Sequence, residues 1–430
     1  MLTDQQRAIV KATVPALQAH GETITRRFYD EMLTAHPELH NYFNPANQLG
    51  EGGQARALAA SVLNYAQNIE RLETLGGMVE RICTKHVSVE IRPEHYPIVG
   101  KHLLGAIAEV LGDAATPDIL DAWGAAYGQL ADVMIGREVA LKKVAREQPG
   151  GWDGFKPFRV ARKVPESKVM TSFILEPEDG TPLPQFTPGQ YVSVKVRPPG
   201  LTFDQIRQYS LSATPNGHQF RISVKREDAP TGTSDIGPGT VSTFLHRLVW
   251  EGDTVLVHTP GGENMLDESS TNPVVLMSGG AGITAVLGML EYLAKHTDRE
   301  VLWLHAAHSR DNDSFGTAVR SLGASRSGIR CVTLYEAVGP DDVQGRDFDA
   351  VGRISVELLR TYLPAGNPEF YYCGPIGFMA AMERILDELG IAVQCRHSEA
   401  FAPDESFTAR SPSVHGQETY HVCRRSGSAR

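Results

Sequence analysis

The stretch ICTKHVSVEIRPEHYPIVGKHLL, residues 82–104, decides how the first third of the chain is read. It holds His86, His95 and His102 in a mostly apolar setting, with Tyr96 between the last two. The chain has fifteen histidines, and one chosen blindly is a surface or packing residue, so periodicity alone does not single out His86. The surroundings carry more. Apolar residues recur at helical spacing in IVKATVPALQAH, ITRRFYDEMLTAHPELHNYF, ARALAASVLNYAQNIERLETLGGMVERI and ILDAWGAAYGQLADVMIGREVALKKV. Residues 1–147 are therefore expected to be all-α, with Pro and Gly mainly between the helices, where they cost no interior hydrogen bond.

The texture changes at EQPGGWDGFKPF. Over residues 155–262, FRVARKV, MTSFILEP, YVSVKVRPPG, YSLSA, FRISVKRE and DTVLVHTP read as short strands of a small antiparallel barrel or sandwich, broken by one short helix, VSTFLHRLV. Over 263–403, strand and helix patterns alternate: PVVLM, ITAVLGMLEYLAKH, VLWLHAA, CVTLYEA, EFYYCG and GFMAAMERILDELG. That order implies a mostly parallel, nucleotide-binding type of sheet. Residues 404–430 are polar and without period, and are read as an extension that is disordered or weakly docked.

With 430 residues the chain has room for two or three domains, and its net charge of −10 gives no steering toward nucleic acid or anionic lipid, although a local basic groove stays open. The first residues carry acidic and polar side chains where a secretion signal would be basic and then apolar. The richest apolar run, NPVVLMSGGAGITAVLGMLEYL, is broken by glycines. These features place the chain in the cytoplasm, outside any membrane. Five scattered cysteines without CxxC spacing argue against a disulfide framework and against a cysteine-held zinc or iron–sulfur site.

Taken from FYDEMLTAHPELHNYFN through ALAASVLNYAQNIE and KHVSVEIRPEHYPIVGKHLL to LDAWGAAYGQLADVMIGRE, the first domain resembles the globins, specifically the globin that heads a flavohemoglobin. The resemblance implies a multidomain chain: an all-α globin, an antiparallel β-barrel FAD-binding domain and an α/β nucleotide-binding domain. It makes His86 the proximal ligand of haem b, Phe43 the ring wedged against the haem and Tyr29 the distal phenol, with Gln54 and Leu58 lining the distal face. Gln54 and Leu58 are four apart and so share one helical face. A phenol there donates a hydrogen bond to bound O2. Tyr96 and Glu138 would stand behind His86, where a carboxylate accepting from the other ring N–H fixes the tautomer and raises electron donation. Outside that resemblance, Tyr29 is a packing aromatic and Glu138 a surface residue near a helix end.

In the β-rich region, Arg207, Gln208, Tyr209 and Ser210 resemble the RxYS flavin motif of ferredoxin-reductase-like enzymes, and Gln190 and Tyr191 the strand before it. Arg207 would neutralise the flavin pyrophosphate, Tyr209 would stack near the ring system, and Ser210 would bond its polar edge. Gly239, Thr240, Val241 and Ser242 precede the short helix, whose first N–H groups can receive phosphate oxygens. The link over 227–241 is longer than the family's usual one and is read as a surface loop on the adenine side.

Gly280, Gly282 and Thr284 resemble the GxGxTP pyridine-nucleotide motif, with Ala285 where proline is usual; that loss removes rigidity from the first turn but no donor. Cys373, Gly374 and Pro375 match the family's CGP turn, and Glu399 and Phe401 its E-x-F ending, whose aromatic covers the flavin until nicotinamide displaces it. No basic cluster for a 2′-phosphate stands out, so NADH is favoured, with NADPH left open.

The resemblance implies an NAD(P)H-dependent nitric oxide dioxygenase, an oxidoreductase using FAD and haem-bound O2 to convert NO to nitrate. The alternatives are a haem/flavin reductase of alkylhydroperoxides and an oxygen-binding or oxygen-sensing globin. Expected partners are the small molecules NO and O2, with a lipid in the haem pocket left open. No nucleic acid is expected, and the chain is read as a monomer.

Overall fold

The computed structural model describes residues 1–48, 53–229 and 237–401. The 404–430 extension and the middle of the 227–241 loop lie outside the described residues. The described residues form two compact units. Met1–Phe155 with Ser193–Arg207 make up the first, and Lys156–Val192 with Gln208–Phe401 the second.

The helical region runs α1 (Asp4–Ala12), α2 (Val14–Ala35), α3 (Pro45–Gln48), α4 (Gly53–Gln67), α5 (Gly76–Ser88), α6 (His95–Leu111) and α7 (Pro117–Glu147). Local chemistry sets several of these ends. Thr3 and Gln6 form a reciprocal capping box at α1. At α7 the Thr116 hydroxyl accepts from the Ile119 N–H and Pro117 occupies the first turn. The core of this region gathers Phe28, Tyr29, Met32, Tyr65, Leu103, Ile107 and Trp123. On α7, Ala131, Met134 and Glu138 are buried at i, i+3 and i+7, so a carboxylate lies on the inward stripe.

Next come β1 (Phe155–Pro165), β2 (Met170–Pro177), β3 (Tyr191–Val196), β4 (Gln205–Ser210), β5 (Phe220–Lys225), α8 (Thr240–Leu248) and β6 (Thr254–His258). They form a six-stranded sheet in the order β4-β3-β6-β1-β2-β5, with β1–β2 and β2–β5 antiparallel. A β-bridge between Leu211 and Ile222 connects the chain just beyond β4 to β5, the two ends of that order. The buried rings of Phe158 on β1 and Phe220 on β5 stack with centroids 5.7 Å apart. The helix expected at VSTFLHRLV is α8.

The last region is a six-stranded parallel sheet flanked by helices. It is built from β7 (Val274–Gly279), α9 (Ile283–His296), β8 (Val301–Ala307), α10 (Gly316–Ser325), β9 (Ile329–Tyr335), β10 (Ala350–Val351), α11 (Val356–Tyr362), β11 (Glu369–Gly374), α12 (Ile376–Glu388) and β12 (Arg396–Ala400). Every residue of β7 and β11 is buried, which is why they read as continuous apolar runs. The order β10-β9-β8-β7-β11-β12 reverses direction at β7 and β11. In such sheets the crevice beyond the carboxyl ends of those two strands takes the ligand. Among the described residues, no helix is long and apolar enough to cross a membrane, and no group of three or more His, Cys, Asp or Glu side chains could hold a metal.

Candidate functional site

His86 lies in the last turn of α5. Past the helix end the chain turns through Glu90, a left-handed residue at φ 63°, and the Ile91 N–H returns to the His86 carbonyl at 2.9 Å. The His86 Nδ1 is 2.8 Å from Glu138 Oε1, and the Tyr96 hydroxyl donates to the same oxygen at 2.5 Å. An ionised carboxylate only accepts, so Nδ1 carries the proton and the lone pair lies on Nε2. One ring nitrogen is thus engaged by a buried carboxylate, which fixes the tautomer and the ring's orientation. Glu138 is 3% exposed; the surface reading of MIGREVALKK does not hold, because the α7 stripe turns that carboxylate inward. Burial, and next the adjacent Glu138, hold the Tyr96 phenol far above its ordinary pKa.

Tyr127 was not singled out in the sequence. Its hydroxyl donates to the Tyr96 carbonyl at 2.6 Å, and Gly100 leaves it room, since a Cβ there would stand 2.6 Å from the ring. The available signal was spacing: Tyr127 and Glu138 are eleven apart, three turns of one helix.

On the other side of the helical core, Tyr29 is 9% exposed and its ring meets Phe43 edge-on at 5.7 Å. Burial raises its phenol pKa, and a hydrogen bond with Gln54 opposes the rise. Tyr29, Phe43 and Gln54 are thus brought together, and Leu58 packs against the same core. His95 stands apart with its ring against Tyr42 at 4.8 Å, and His102 against His36 at 5.5 Å.

Among the candidate flavin residues, the Arg207 guanidinium bonds Asn44 Oδ1 and the Ile206 carbonyl at 2.8 Å, and Gln205 Oε1 at 3.2 Å. A phosphate would have to displace these acceptors. Ser210 is buried, Gln190 Oε1 accepts from the Thr187 N–H, and Tyr191 pairs with Gly261. α8 has no side-chain cap at its N-terminus. Gly239 before it is held tightly, since a Cβ would stand 2.8 Å from Ser242 Oγ and 2.9 Å from the Glu227 side chain. Its opposite end is capped by Lys163, which sequence reasoning missed. That ammonium donates to the carbonyls of Leu245, His246 and Val249 at 3.2, 2.9 and 2.7 Å and lies between the Phe173 and Trp250 rings. Burial lowers its pKa.

In the parallel sheet, Cys373 and Ser278 are register partners on β11 and β7, and Glu399 is the partner of Cys373 on β12. This sets the SGGAG and CGP turns side by side. A Cβ on Gly282 would fall 1.9 Å from the Cys373 carbonyl oxygen, so no other residue fits. α9 starts at Gly282 without a side-chain cap, and Thr284 Oγ1 donates to the Ala281 carbonyl at 3.0 Å. Phe401 is half exposed.

Two family patterns match the chain: Globin over residues 26–134 and the Oxidoreductase NAD-binding domain over residues 276–384. A flavohemoprotein of Deinococcus radiodurans is 56% identical over 408 residues, covering 95% of this chain and 98% of that protein. One from Bordetella pertussis is 46% identical over 403 residues, covering 93% and 98%. A crystal structure of flavohemoglobin from Malassezia yamatoensis with bound FAD and haem superposes with a TM-score of 0.80 at 31% identity, over 93% of this chain and all of that one. The FAD/NAD-binding domain of a nitric oxide dioxygenase from Vibrio cholerae matches 57% of this chain and 98% of its own length, with TM-score 0.52 and 37% identity.

Proposed function

Because the chain belongs to the flavohemoglobin family, we propose that it is a nitric oxide dioxygenase, drawing electrons from NAD(P)H through FAD and haem b to turn NO and O2 into nitrate. The observation that carries this reading is the His86–Glu138–Tyr96 cluster, which leaves one imidazole nitrogen free for iron. When bound, the flavin converts a two-electron hydride into single electrons, and the haem supplies an iron open to diatomic ligands. The remaining work falls to the chain. Glu138 keeps the His86 ring in one tautomer and makes it a stronger donor; the Tyr96 hydroxyl holds that carboxylate, and Tyr127 in turn bonds the Tyr96 carbonyl. Tyr29, oriented by Gln54, donates a hydrogen bond to the bound ligand, while Phe43 and Leu58 keep the pocket apolar.

Residues 1–147 form the globin domain, 155–262 the FAD-binding domain and 263–403 the NAD(P)H-binding domain, with 404–430 as an extension. The six strands close as a barrel through the Leu211–Ile222 bridge. Arg207 and the α8 N-terminus bind the flavin phosphates, Tyr209 and Ser210 its ring, and Gln190, Tyr191 and Gln208 support them. Gly280, Gly282 and Thr284 take the nicotinamide pyrophosphate, and Cys373, Gly374, Pro375, Glu399 and Phe401 border the nicotinamide. No basic cluster for a 2′-phosphate stands out in the sequence, which favours NADH.

Each nitrate formed from NO and O2 takes up one electron, so one NADH accounts for two nitrates. Following NADH, NO and nitrate together in the purified holoprotein tests the reading: two NO consumed and two nitrates formed per NADH support it. NADH oxidation that responds to an alkyl hydroperoxide and not to NO would replace it with the peroxide reductase.

A further inference from the structure

Arg221 on β5 and Glu291 on α9 lie in one compact unit but in different sheet regions of it, and Arg221 Nη2 donates to Glu291 Oε1 at 2.7 Å. Both side chains are mostly buried, at 22% and 16% exposure. The other Glu291 oxygen accepts from the Thr214 N–H at 3.3 Å. The guanidinium also donates to the Ser212 carbonyl and, from Nε, to the Ser212 hydroxyl at 3.3 Å. Ser212 is itself anchored inward: its Oγ is 2.7 Å from that of Ser223, which is 2.8 Å from that of Ser172. The guanidinium also lies 5.6 Å from the centre of the Phe315 ring, a residue held at a left-handed φ of 66° before α10.

What this ion pair joins gives it meaning. Ser212 and Thr214 follow directly on Ser210, the end of β4 and of the candidate flavin motif, while Glu291 lies on the helix that starts after Gly282 in the nucleotide turn. The two segments are in close contact, since a Cβ on Gly288 would stand 3.0 Å from the carbonyl oxygens of both Leu211 and Ala213. Arg221 can hold a carbonyl and a carboxylate at once because its fork carries several N–H groups, and Glu291 can accept from two donors because both its oxygens are acceptors. A glutamine there would turn its own N–H toward one of them. We propose that Arg221 and Glu291 are positioning residues for flavin reduction: they fix α9, and with it the nicotinamide, against the segment that leaves the flavin strand. The inference rests on the cofactor sites proposed above. In the step concerned a nicotinamide C–H bond breaks, its hydride bonds to the flavin, NADH becomes NAD+ and the flavin gains two electrons. A misplacement of about 1 Å in that approach slows such a transfer by about 100-fold.

The double variant Arg221→Met/Glu291→Met separates position from stability, because an apolar pair of similar volume often replaces a buried ion pair with no loss of stability. When the full-length holoprotein is mixed rapidly with saturating NADH under nitrogen, the flavin of this variant is expected to bleach about 10- to 100-fold more slowly. Its FAD content and thermal midpoint match those of the unaltered chain, and the NADH concentration for half-maximal rate moves by less than about threefold, as for a group that acts on the transfer and not on binding. Amide hydrogen exchange without NADH is a readout independent of turnover: the Thr214 N–H, its carboxylate gone, exchanges about tenfold faster or more. An unaltered bleaching rate or an unaltered Thr214 exchange overturns the proposal, and so does a slow rate explained by lost FAD or by a matching rise in the half-saturating NADH concentration. Should the double variant fail to fold, Glu291→Gln, which keeps the shape and gives up one acceptor, goes through the same measurements and decides. NO is absent throughout, so a chain that bleaches with NADH but forms no nitrate would fail the dioxygenase reading and leave the positioning pair standing.

Discussion

Two histidines, half-buried His86 in the helical region and fully buried His305 in the parallel sheet, each have a carboxylate nearby, yet their surroundings differ. At His86 the carboxylate takes Nδ1 at 2.8 Å, so Nε2 remains available as a lone pair. At His305 the Ser278 hydroxyl takes Nδ1 at 2.8 Å, and Asp313 stops 3.8 Å short of Nε2, which has no hydrogen-bond partner. His86 keeps a third of its side-chain surface exposed, whereas His305 keeps 2%. What occupies Nδ1, and how far the ring is buried, separates these two imidazoles; proximity to an acid does not.

Asp313→Asn probes the second histidine most strongly. Burial raises the Asp313 pKa to about 6 and lowers that of His305 to about 4. Between pH 4 and 6 the folded chain holds a proton on Asp313 that the unfolded chain has lost, so stability from this group falls as pH rises. His305 does the reverse, being neutral when folded and protonated when unfolded, and the two slopes cancel. The variant removes the cost of the buried charge and should gain about 3 kcal/mol at pH 7, a gain that vanishes near pH 4. It should also uncover a slope of about 1.4 kcal/mol per pH unit. Denaturant titrations across that range check it; equal stabilisation at pH 4 and 7 would break the contrast.

Glu138→Gln addresses the first histidine. An amide accepts one bond from Nδ1 without the negative charge, and haem affinity should fall about 10- to 100-fold, as measured by transfer to an apo-globin acceptor. Ser278→Ala leaves the His305 Nδ1 unpaired in the interior and should cost about 1–2 kcal/mol, read from thermal unfolding, with haem content unchanged. A loss of haem in that variant would merge two regions that are here kept apart.

Much of this was legible in the chain. Helical spacing marked α2, α4 and α7, continuous apolar runs marked β7 and β11, and the family resemblance singled out His86, Tyr29, Arg207 and the glycines before α9 as candidates. The inward turn of Glu138 was not, because a charged residue in a polar stretch of a long helix carries no local sign of burial; it emerges only when α5, α6 and α7 pack. The Ser278–His305–Asp313 contact has the same origin, joining two neighbouring strands and the turn after β8. β10 and β12 escaped notice for another reason: one is two residues long, and RHSEA is only partly buried and lacks alternation. Lys163 was hidden among ordinary strand residues, since capping the far end of α8 depends on a partner over eighty residues away.

The central claim is that the imidazole of His86 holds the haem iron. The visible spectrum of a His86→Ala variant, purified beside the unaltered chain and recorded before and after NADH under nitrogen, tests it most directly. The account predicts that the Soret band is lost while the flavin bands remain and still bleach with NADH. A variant that keeps the haem content and ligand spectra of the unaltered chain would contradict it.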